Sequence, residues 1–267
     1  MTGAPTPGVA GSSTISGVEL HPLARQFASV AEAYERGRPE YAPAVIGATA
    51  AELGIQSNDP VLDLAAGTGK LTRALVAYGF AVVAVEPQEP LRATLADKLS
   101  AGRVLDGVAE QIPLEDGSVA AVMIADAFHW FDRRRALGEI RRMLKVSGGL
   151  ALFNTVPDWR GASWAHELGT LVADTRPKHP NFDGRPWQEF VREADGFAEP
   201  WEVRVTTYSP ADAEQVLAHM ASISWIAGLP EPERVDVLAG MRTIVTAGET
   251  PEHFGMHFEV GPTTRLA

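Results

Sequence analysis

Along the middle of the chain, short apolar blocks that predict strands take turns with longer blocks whose periodicity predicts helices. Short apolar runs separated by stretches of helical periodicity indicate strands that are buried on both faces and joined by helices. This order predicts an α/β domain with a doubly wound, Rossmann-like, mostly parallel sheet. The predicted strands are 61–65, 81–85, 103–105, 120–125 and 150–154, and the helices that fall between most of them are 69–78, 89–99 and 133–145.

Two helices are predicted before the first strand. The first covers 27–35, where Ser29 and Glu32 have the spacing of a capping box. The second covers 44–53 and is closed by Gly54, because glycine commonly ends a helix. Prolines between the two interrupt the helical pattern.

The pattern changes after residue 155. The predicted elements there are helices at 163–175 and 187–194, a strand at 203–208, two helices within 211–246 and a last strand at 254–260. The strand at 203–208 alternates between apolar and polar residues, as an exposed edge strand does. The helical insertion between the last two strands is expected to lie over the carboxyl ends of the strands, where ligands bind in such sheets.

Composition narrows the class of protein. With 267 residues, of which 45% are hydrophobic, the chain suits one large α/β domain with a sizeable core. The formal net charge of −11 argues against nucleic acid, whose phosphates require a basic face, and against anionic membranes. The chain has no cysteine, which excludes disulfides, thiolate metal sites and cysteine nucleophiles.

The first 17 residues are rich in small residues and proline, without a positive start or a continuous apolar block. They predict a disordered tail rather than a signal peptide. No apolar run approaches the length needed to span a bilayer. We therefore expect a soluble cytoplasmic protein.

The most informative segment runs from Val61 to Leu71. An apolar run carrying Asp63 breaks into a turn with Gly67 and Gly69, and a helix begins directly afterwards. A strand, a glycine turn and a helix start together let backbone amides approach a ligand closely. Glu86 ends the next apolar run and would lie beside this turn, placed to accept hydrogen bonds from a ribose. The pattern predicts a site for a nucleoside cofactor.

The residues around the turn distinguish between nucleosides. Thr72 stands where a dinucleotide fingerprint has its third glycine. Leu64 and Leu71 stand where a phosphate-binding loop has glycine and serine or threonine, so Lys70 is not a phosphate-binding lysine. Asp63 would repel a pyrophosphate but suits an ammonium group. A cofactor with a ribose, an amino group and no phosphate fits this description, which favours S-adenosylmethionine.

Several short motifs follow one another in the order of a known family. They are DLAAGTG at 63–69, VEP at 85–87, AEQIPLEDGS at 109–118 and LKVSGG at 144–149, with RGRPEY at 36–41 and FHWFD at 128–132. Over about residues 20–155 the chain resembles class I S-adenosylmethionine-dependent methyltransferases, and the last two motifs resemble their type 11 small-molecule group. The resemblance implies a seven-stranded sheet with an antiparallel last strand, and methyl transfer to an oxygen, nitrogen or activated carbon of a small molecule.

The resemblance also assigns cofactor contacts. They are Tyr34, Arg38, Asp63, Ala65, Gly67, Thr68, Gly69, Glu86, Pro87, Gln88, Ala109, Glu110 and Ala125. The family usually has glycine at the position of Ala65, and many relatives have aspartate at the position of Val108 to receive the adenine amino group. Without that aspartate, the Ala109 backbone and Glu110 are left to bind the adenine. Arg38 is equally a candidate to pair with a substrate carboxylate or to face water.

The expected acceptor pocket involves Tyr41, Phe128, His129 and Trp130. His129 is the candidate general base because histidine has a pKa near neutrality, although it could equally form only a wall of the site. Four further tryptophans are candidates for an apolar pocket or for the core, namely Trp159, Trp164, Trp187 and Trp225. No metal site is expected.

The resemblance divides the chain into the tail 1–17, lid helices with the cofactor-binding half at 18–155, and the remaining strands with a helical substrate cap at 156–267. A small-molecule substrate is the expected partner, with no nucleic acid and no membrane, in a monomer or a homodimer. Two alternatives stay open. One is a non-catalytic S-adenosylmethionine-binding regulatory module, suggested by Val108 and by the lack of a decisive catalytic residue. The other is a nicotinamide oxidoreductase, which Thr72 and Asp63 disfavour.

Overall fold

The computed structural model describes residues 20–99, 102–247 and 252–267. The tail predicted at 1–17 lies outside the described residues. Within the described ranges, no helix is both long enough and apolar enough to cross a membrane.

Several short helical segments precede the sheet. They are α1 (Pro22–Arg25), a 3-10 turn (Gln26–Val30), α2 (Ala31–Gly37) and α3 (Pro43–Leu53). The single helix predicted over 27–35 is therefore divided, and the predicted capping box is wrong. Ser29 lies inside the 3-10 turn, and its hydroxyl donates to the carbonyl oxygen of Gln26 at 2.7 Å instead of capping a helix. The second helix is confirmed, and Gly54 closes it in the left-handed conformation with a φ of 65°.

The predicted seven-stranded, mostly parallel sheet is confirmed. Its strands are β1 (Pro60–Leu64), β2 (Ala81–Val85), β3 (Arg103–Leu105), β4 (Val119–Ala125), β5 (Leu144–Pro157), β6 (Val203–Pro210) and β7 (His253–Thr264). The strands lie in the order β3-β2-β1-β4-β5-β7-β6, and β7 runs antiparallel to both of its neighbours. The order changes direction between β1 and β4, so a crevice opens outside the carboxyl ends of these two strands.

Two of the later strands bear on the predictions. β6 is an edge strand whose residues alternate between half-buried and exposed, as its sequence pattern predicts. β5 begins at Leu144 rather than at 150, because Leu144 already pairs with Val119. Residues 145–147 are exposed and only Val146 among them is apolar, so the sequence there lacks the apolar run that marks the other strands.

Helices cover both faces of the sheet and create two cores. The helices between the parallel strands are α4 (Lys70–Tyr78), α5 (Glu89–Lys98) and α6 (Arg133–Met143). Alternate residues of β1 point to opposite faces, so Val61 packs into one core and Leu62 into the other. The sheet is therefore buried on both faces, and the turn after β1 lies at the edge where the parallel strands end.

The second half supplies a helical cap. Its helices are α7 (Ser163–Asp174), α8 (Trp187–Glu193), α9 (Ala213–Ala221), α10 (Ser224–Ala227) and α11 (Glu231–Thr246). Three helices lie within 211–246 where two were predicted, because α9 ends at Ala221 and the short α10 follows before α11. α9 packs closely on α2: a Cβ on Gly37 would lie 2.0 Å from the backbone nitrogen of His219. The cap and the N-terminal helices thus meet above the sheet.

Candidate functional site

The turn after β1 has an unusual backbone. Ala65, Gly67 and Gly69 all have positive φ, at 60°, 58° and 87°. Left-handed backbone costs an alanine roughly 1–2 kcal/mol and costs a glycine almost nothing, which gives a physical reason for glycine at the position of Ala65 in related proteins. Space beside Gly67 is open, since a Cβ there would have no neighbour within 4 Å. The turn therefore exposes backbone that a ligand can approach.

Glu86 is fixed directly beside this turn. Its Oε2 accepts from the Gly67 amide at 2.9 Å and its Oε1 accepts from the Gln88 amide at 2.9 Å. The side chain is 3% exposed, and burial raises the pKa of Glu86 to about 7 against the effect of these two hydrogen bonds and of Arg92. Each carboxylate oxygen keeps a lone pair for a further donor. A buried carboxylate with spare acceptor capacity faces the cavity described next.

A first cavity, which is partly open to solvent, lies above the turn. Twelve of the residues singled out from the sequence line it: Tyr34, Arg38, Ala65, Gly67, Thr68, Glu86, Pro87, Gln88, Ala109, Glu110, Ala125 and Trp130. The structure therefore brings most of the predicted cofactor residues to one place.

Two predicted cofactor contacts lie outside the lining of this cavity. Asp63 is 1% exposed behind the turn, where Thr72 donates to its Oδ2 at 2.5 Å, and among the described residues its Oδ1 has no hydrogen-bond partner. Burial, partly offset by Thr72 and reinforced by the charge of Glu86, raises the pKa of Asp63 to about 7. Gly69 packs closely on the next helix, because a Cβ there would lie 2.1 Å from the Leu95 side chain.

The lid residues are held by contacts to the cap and to α4. The Nε of Arg38 donates to the Ser222 hydroxyl at 3.0 Å, and its guanidinium lies 5.4 Å from the centre of the Tyr34 ring. No carboxylate in the described ranges forms an ion pair with Arg38. Glu35 on α2 pairs with Arg73 at 2.7 Å and so ties the lid to the helix that follows the turn.

A second cavity adjoins the first beneath the cap. Its walls are rich in aromatic rings: Phe27, His129, Trp130, Trp159, His179, Phe182 and Trp225. Four residues line both cavities, namely Phe27, Arg38, Asp126 and Trp130. Two adjoining cavities at the carboxyl ends of β1 and β4 can hold two small molecules side by side.

Comparisons with known proteins agree with this geometry. Residues 62–152 match the family described as a methyltransferase domain. An uncharacterized methyltransferase of Mycobacterium tuberculosis is 35% identical over 223 residues, covering 84% of this chain and 86% of that protein. The chain belongs to the class I S-adenosylmethionine-dependent methyltransferases. An uncharacterized methyltransferase of Schizosaccharomyces pombe is 30% identical over 84% of the chain and 88% of its own length.

Solved structures show the same fold. A type II methyltransferase from Anaeromyxobacter dehalogenans superimposes with a TM-score of 0.64 over 86% of this methyltransferase and 97% of that chain, at 21% identity. A methyltransferase from Anabaena variabilis, described as part of an antibiotic biosynthesis pathway, gives a TM-score of 0.58 over 84% and 98% at 19% identity. At these identities the likeness supports the sheet and its helices, and no more.

Two of the predicted acceptor residues are placed differently in the methyltransferase. Tyr41 lies in the core and not in either cavity, because its ring packs edge-on to Phe153 at 5.7 Å and against Phe258 at 5.2 Å. Phe128 is also buried, and it borders a separate cavity behind His129. An aromatic ring gains more from such packing than from facing a solvent-filled pocket.

The expected near-neutral pKa of His129 is wrong. Burial, together with the charges of His179, Arg133 and His21, lowers the pKa of His129 to about 3. The imidazole is therefore neutral at physiological pH and is a weak base. Its ring lies 4.3 Å from that of Trp130, in the wall of the second cavity and outside the lining of the first.

Sequence reasoning missed several lining residues of the methyltransferase. The N-terminal segment contributes Leu20, His21, Ala24 and Phe27 to the first cavity. The spacing of Leu20, Ala24 and Phe27 is that of one helical face, which was the available signal. Of the four further tryptophans, Trp159 and Trp225 line the second cavity, while Trp164 packs against Phe254. His179 also lines this cavity, and nothing in its local sequence indicates that role.

Proposed function

We propose that the first cavity binds S-adenosylmethionine and that the second holds a small-molecule acceptor, whose oxygen, nitrogen or activated carbon receives the methyl group. The observation that carries the proposal is Glu86, a buried carboxylate with spare lone pairs at the end of β2 and on the cavity wall. The second cavity supports transfer rather than binding alone, because a binding module needs no adjoining site.

The chemistry of the lining fits this cofactor. Ribose hydroxyls are donors for the free lone pairs of Glu86. The guanidinium of Arg38 has no ion-pair partner in the described ranges and suits the carboxylate of the methionine part. The unpartnered Oδ1 of Asp63 suits the ammonium group, directly or through water. Val108 offers no side-chain acceptor for the adenine. The other residues that line that end of the cavity are Gln88, Ala109 and Glu110.

When bound, S-adenosylmethionine supplies a methyl group that its sulfonium charge already activates. The task of the protein is therefore to hold the acceptor in line and to exclude water. Phe27 and Trp130 line both cavities and form apolar walls where they meet. Arg38, anchored on Ser222, connects the lid to the cap at the same place.

The proposal is tested by supplying S-adenosylmethionine with an isotopically labelled methyl group and fractionated metabolite pools. We expect one compound to gain one labelled methyl group, with one S-adenosylhomocysteine formed for each methyl transferred. Binding of S-adenosylmethionine without S-adenosylhomocysteine formation in any pool would speak against transfer and for a binding module.

Cofactor binding is predicted to release protons below pH 7. The pKa values of Asp63 and Glu86 are both raised to about 7 by burial, so both groups are largely protonated at pH 6 in the unliganded protein. Ligand donors favour the ionised forms, so the affinity should rise from pH 6 to about 7 and then level off. Calorimetry at pH 6.5 in two buffers of different ionisation enthalpy measures the released protons. Release should fall in Glu86→Gln.

The same shifts give the pH dependence of stability. A folded carboxyl whose pKa is raised holds a proton that the unfolded chain releases at lower pH. The contribution of Asp63 and Glu86 to stability is therefore present below their ordinary pKa values of 3.8 and 4.5 and is lost as the pH rises through about 7. The raised pKa values would be contradicted by one result. That result is a free energy of unfolding that rises across this pH range in the unliganded wild type and falls in Glu86→Gln.

A further inference from the structure

Asp126 occupies the junction between the two cavities. It follows the last residue of β4, and its amide donates to the carbonyl oxygen of Phe153 at 2.9 Å. Only four residues in the described ranges line both cavities, and they are Phe27, Arg38, Asp126 and Trp130. Phenylalanine and tryptophan cannot take up a proton, and arginine already carries one. Of these four residues, only Asp126 has a side chain that can accept a proton.

The carboxylate is held in one orientation. The Thr155 amide donates to its Oδ1 at 2.8 Å, and the Thr155 hydroxyl donates to its Oδ2. Thr155 belongs to the neighbouring strand β5, so both hydrogen bonds come from the sheet itself. Each oxygen keeps a lone pair that can accept from a bound molecule. The backbone at Asp126 is left-handed, with a φ of 49°, which aspartate and asparagine tolerate better than most residues.

The surroundings of Asp126 favour a proton acceptor. Burial raises the pKa of Asp126, and Arg38 and the Thr155 hydrogen bonds oppose this. Burial, with the charge of Asp126 adding to it, raises the pKa of Tyr34 to about 12 and that of Tyr41 well above its ordinary value, so neither phenol ionises near neutrality. His129 is neutral, as shown above. A carboxylate with a raised pKa is a stronger base than an imidazole with a pKa of about 3.

The second cavity indicates which acceptors suit this base. Its walls include flat aromatic surfaces, among them Trp159, Phe182 and Trp225. Burial and the charge of Arg176 lower the pKa of His179 to about 4, so this ring is neutral as well. Arg176 itself pairs with Asp183 at 2.9 Å. Such walls favour a planar, uncharged ring system over a charged metabolite.

We propose that Asp126 is the general base of the transfer and that the acceptor is a neutral hydroxylated aromatic compound bound in the second cavity. The inference rests on the proposed function. The acceptor O–H bond breaks and its proton passes to the Asp126 carboxylate, while an oxygen electron pair forms the bond to the methyl carbon. The carbon–sulfur bond breaks with its electron pair left on sulfur, so the sulfonium becomes a neutral thioether. Asp126 then returns its proton to water.

The test uses 2-naphthol, a planar phenol whose excited state transfers its proton to an adjacent base and then emits as the naphtholate. With S-adenosylhomocysteine filling the first cavity, we expect bound 2-naphthol to show naphtholate emission in the wild type and to lose most of it in Asp126→Asn. Asp97→Asn is the matched control and should keep the emission, because Asp97 is exposed on α5 and lies outside the linings of both cavities. The methyl ether 2-methoxynaphthalene, which has no proton to give, should bind both proteins alike.

A rate measurement complements the spectroscopic one. With 2-naphthol as acceptor, Asp126→Asn should lower kcat by about 100-fold or more, the usual contribution of a general base. Asp126→Glu should recover part of the loss, and the fall in kcat at low pH, measured with saturating S-adenosylmethionine, should disappear in Asp126→Asn. A purely structural role would change the affinity for S-adenosylhomocysteine and the circular dichroism spectrum instead, and both should stay close to those of the wild type.

The outcomes separate this inference from the proposed function. If S-adenosylhomocysteine does not bind the wild type, the proposed function fails. If it binds, and naphtholate emission is equal in the wild type and Asp126→Asn, Asp126 is not the base. If it binds and 2-naphthol does not, the aromatic acceptor is wrong.

Discussion

Replacing Glu86 with alanine is expected to weaken S-adenosylmethionine binding by about 100-fold or more. Hydrogen bonds to a charged group contribute about 1.5–3 kcal/mol each, and tenfold in affinity corresponds to about 1.4 kcal/mol. The variant also leaves the amides of Gly67 and Gln88 without their acceptors in a buried turn. Calorimetric titration with S-adenosylmethionine and S-adenosylhomocysteine measures the loss.

Two companion variants sharpen this measurement. Glu86→Gln keeps one acceptor oxygen but loses the charge, so an intermediate loss of about tenfold is expected. Glu89→Ala is the matched control, because Glu89 is exposed in the first turn of α5 and lies outside the cavity lining. Affinity within threefold of the wild type in Glu86→Ala would contradict the ribose role.

Replacing Gly37 with alanine is expected to lower the free energy of unfolding by about 1–3 kcal/mol or more, the usual cost of overpacking. The new Cβ would meet the backbone nitrogen of His219 at 2.0 Å and the carbonyl carbon of Ala218 at 2.3 Å. Backbone atoms of a packed helix cannot turn aside as a side chain can, so α2 and α9 must separate. Urea unfolding followed by circular dichroism measures the change.

Separation of these helices should also impair binding. Tyr34 and Arg38 flank Gly37 and line the first cavity, so we expect the affinity for S-adenosylmethionine to fall at least about tenfold. Gly138→Ala is the matched control, since Gly138 lies inside α6 with nothing within 4 Å of the added carbon. It should stabilise the protein by about 0.5–1 kcal/mol. Equal stability of Gly37→Ala and the wild type would refute the close contact.

The cofactor half of the site could be predicted because its geometry is local. A strand, a turn and a helix in one continuous segment fix the positions of Gly67 and Thr68, and parallel strands of similar length bring Glu86 beside them. In this half of the site, the spacing of the motifs along the chain therefore predicts which residues lie close together. Gly69 shows the limit of this reasoning, because the close approach of Leu95 from the next helix also requires a glycine there, and the local motif does not reveal that contact.

The acceptor half could not be predicted in the same way. Its walls come from segments as distant in sequence as Phe27 and Trp225, and only tertiary packing brings them together. Tyr41 is drawn into the core by Phe153 and Phe258, which no local pattern reveals. The pKa of His129 depends on burial, so residue type alone suggested a near-neutral imidazole that the folded chain does not provide.

The central claim is that the crevice above the opening turn of the sheet holds S-adenosylmethionine. A crystal structure with S-adenosylhomocysteine tests it most directly. We predict the nucleoside between Gly67 and Ala109, with its ribose hydroxyls donating to Glu86. A crevice left empty while the compound binds elsewhere, or does not bind at all, would contradict the account.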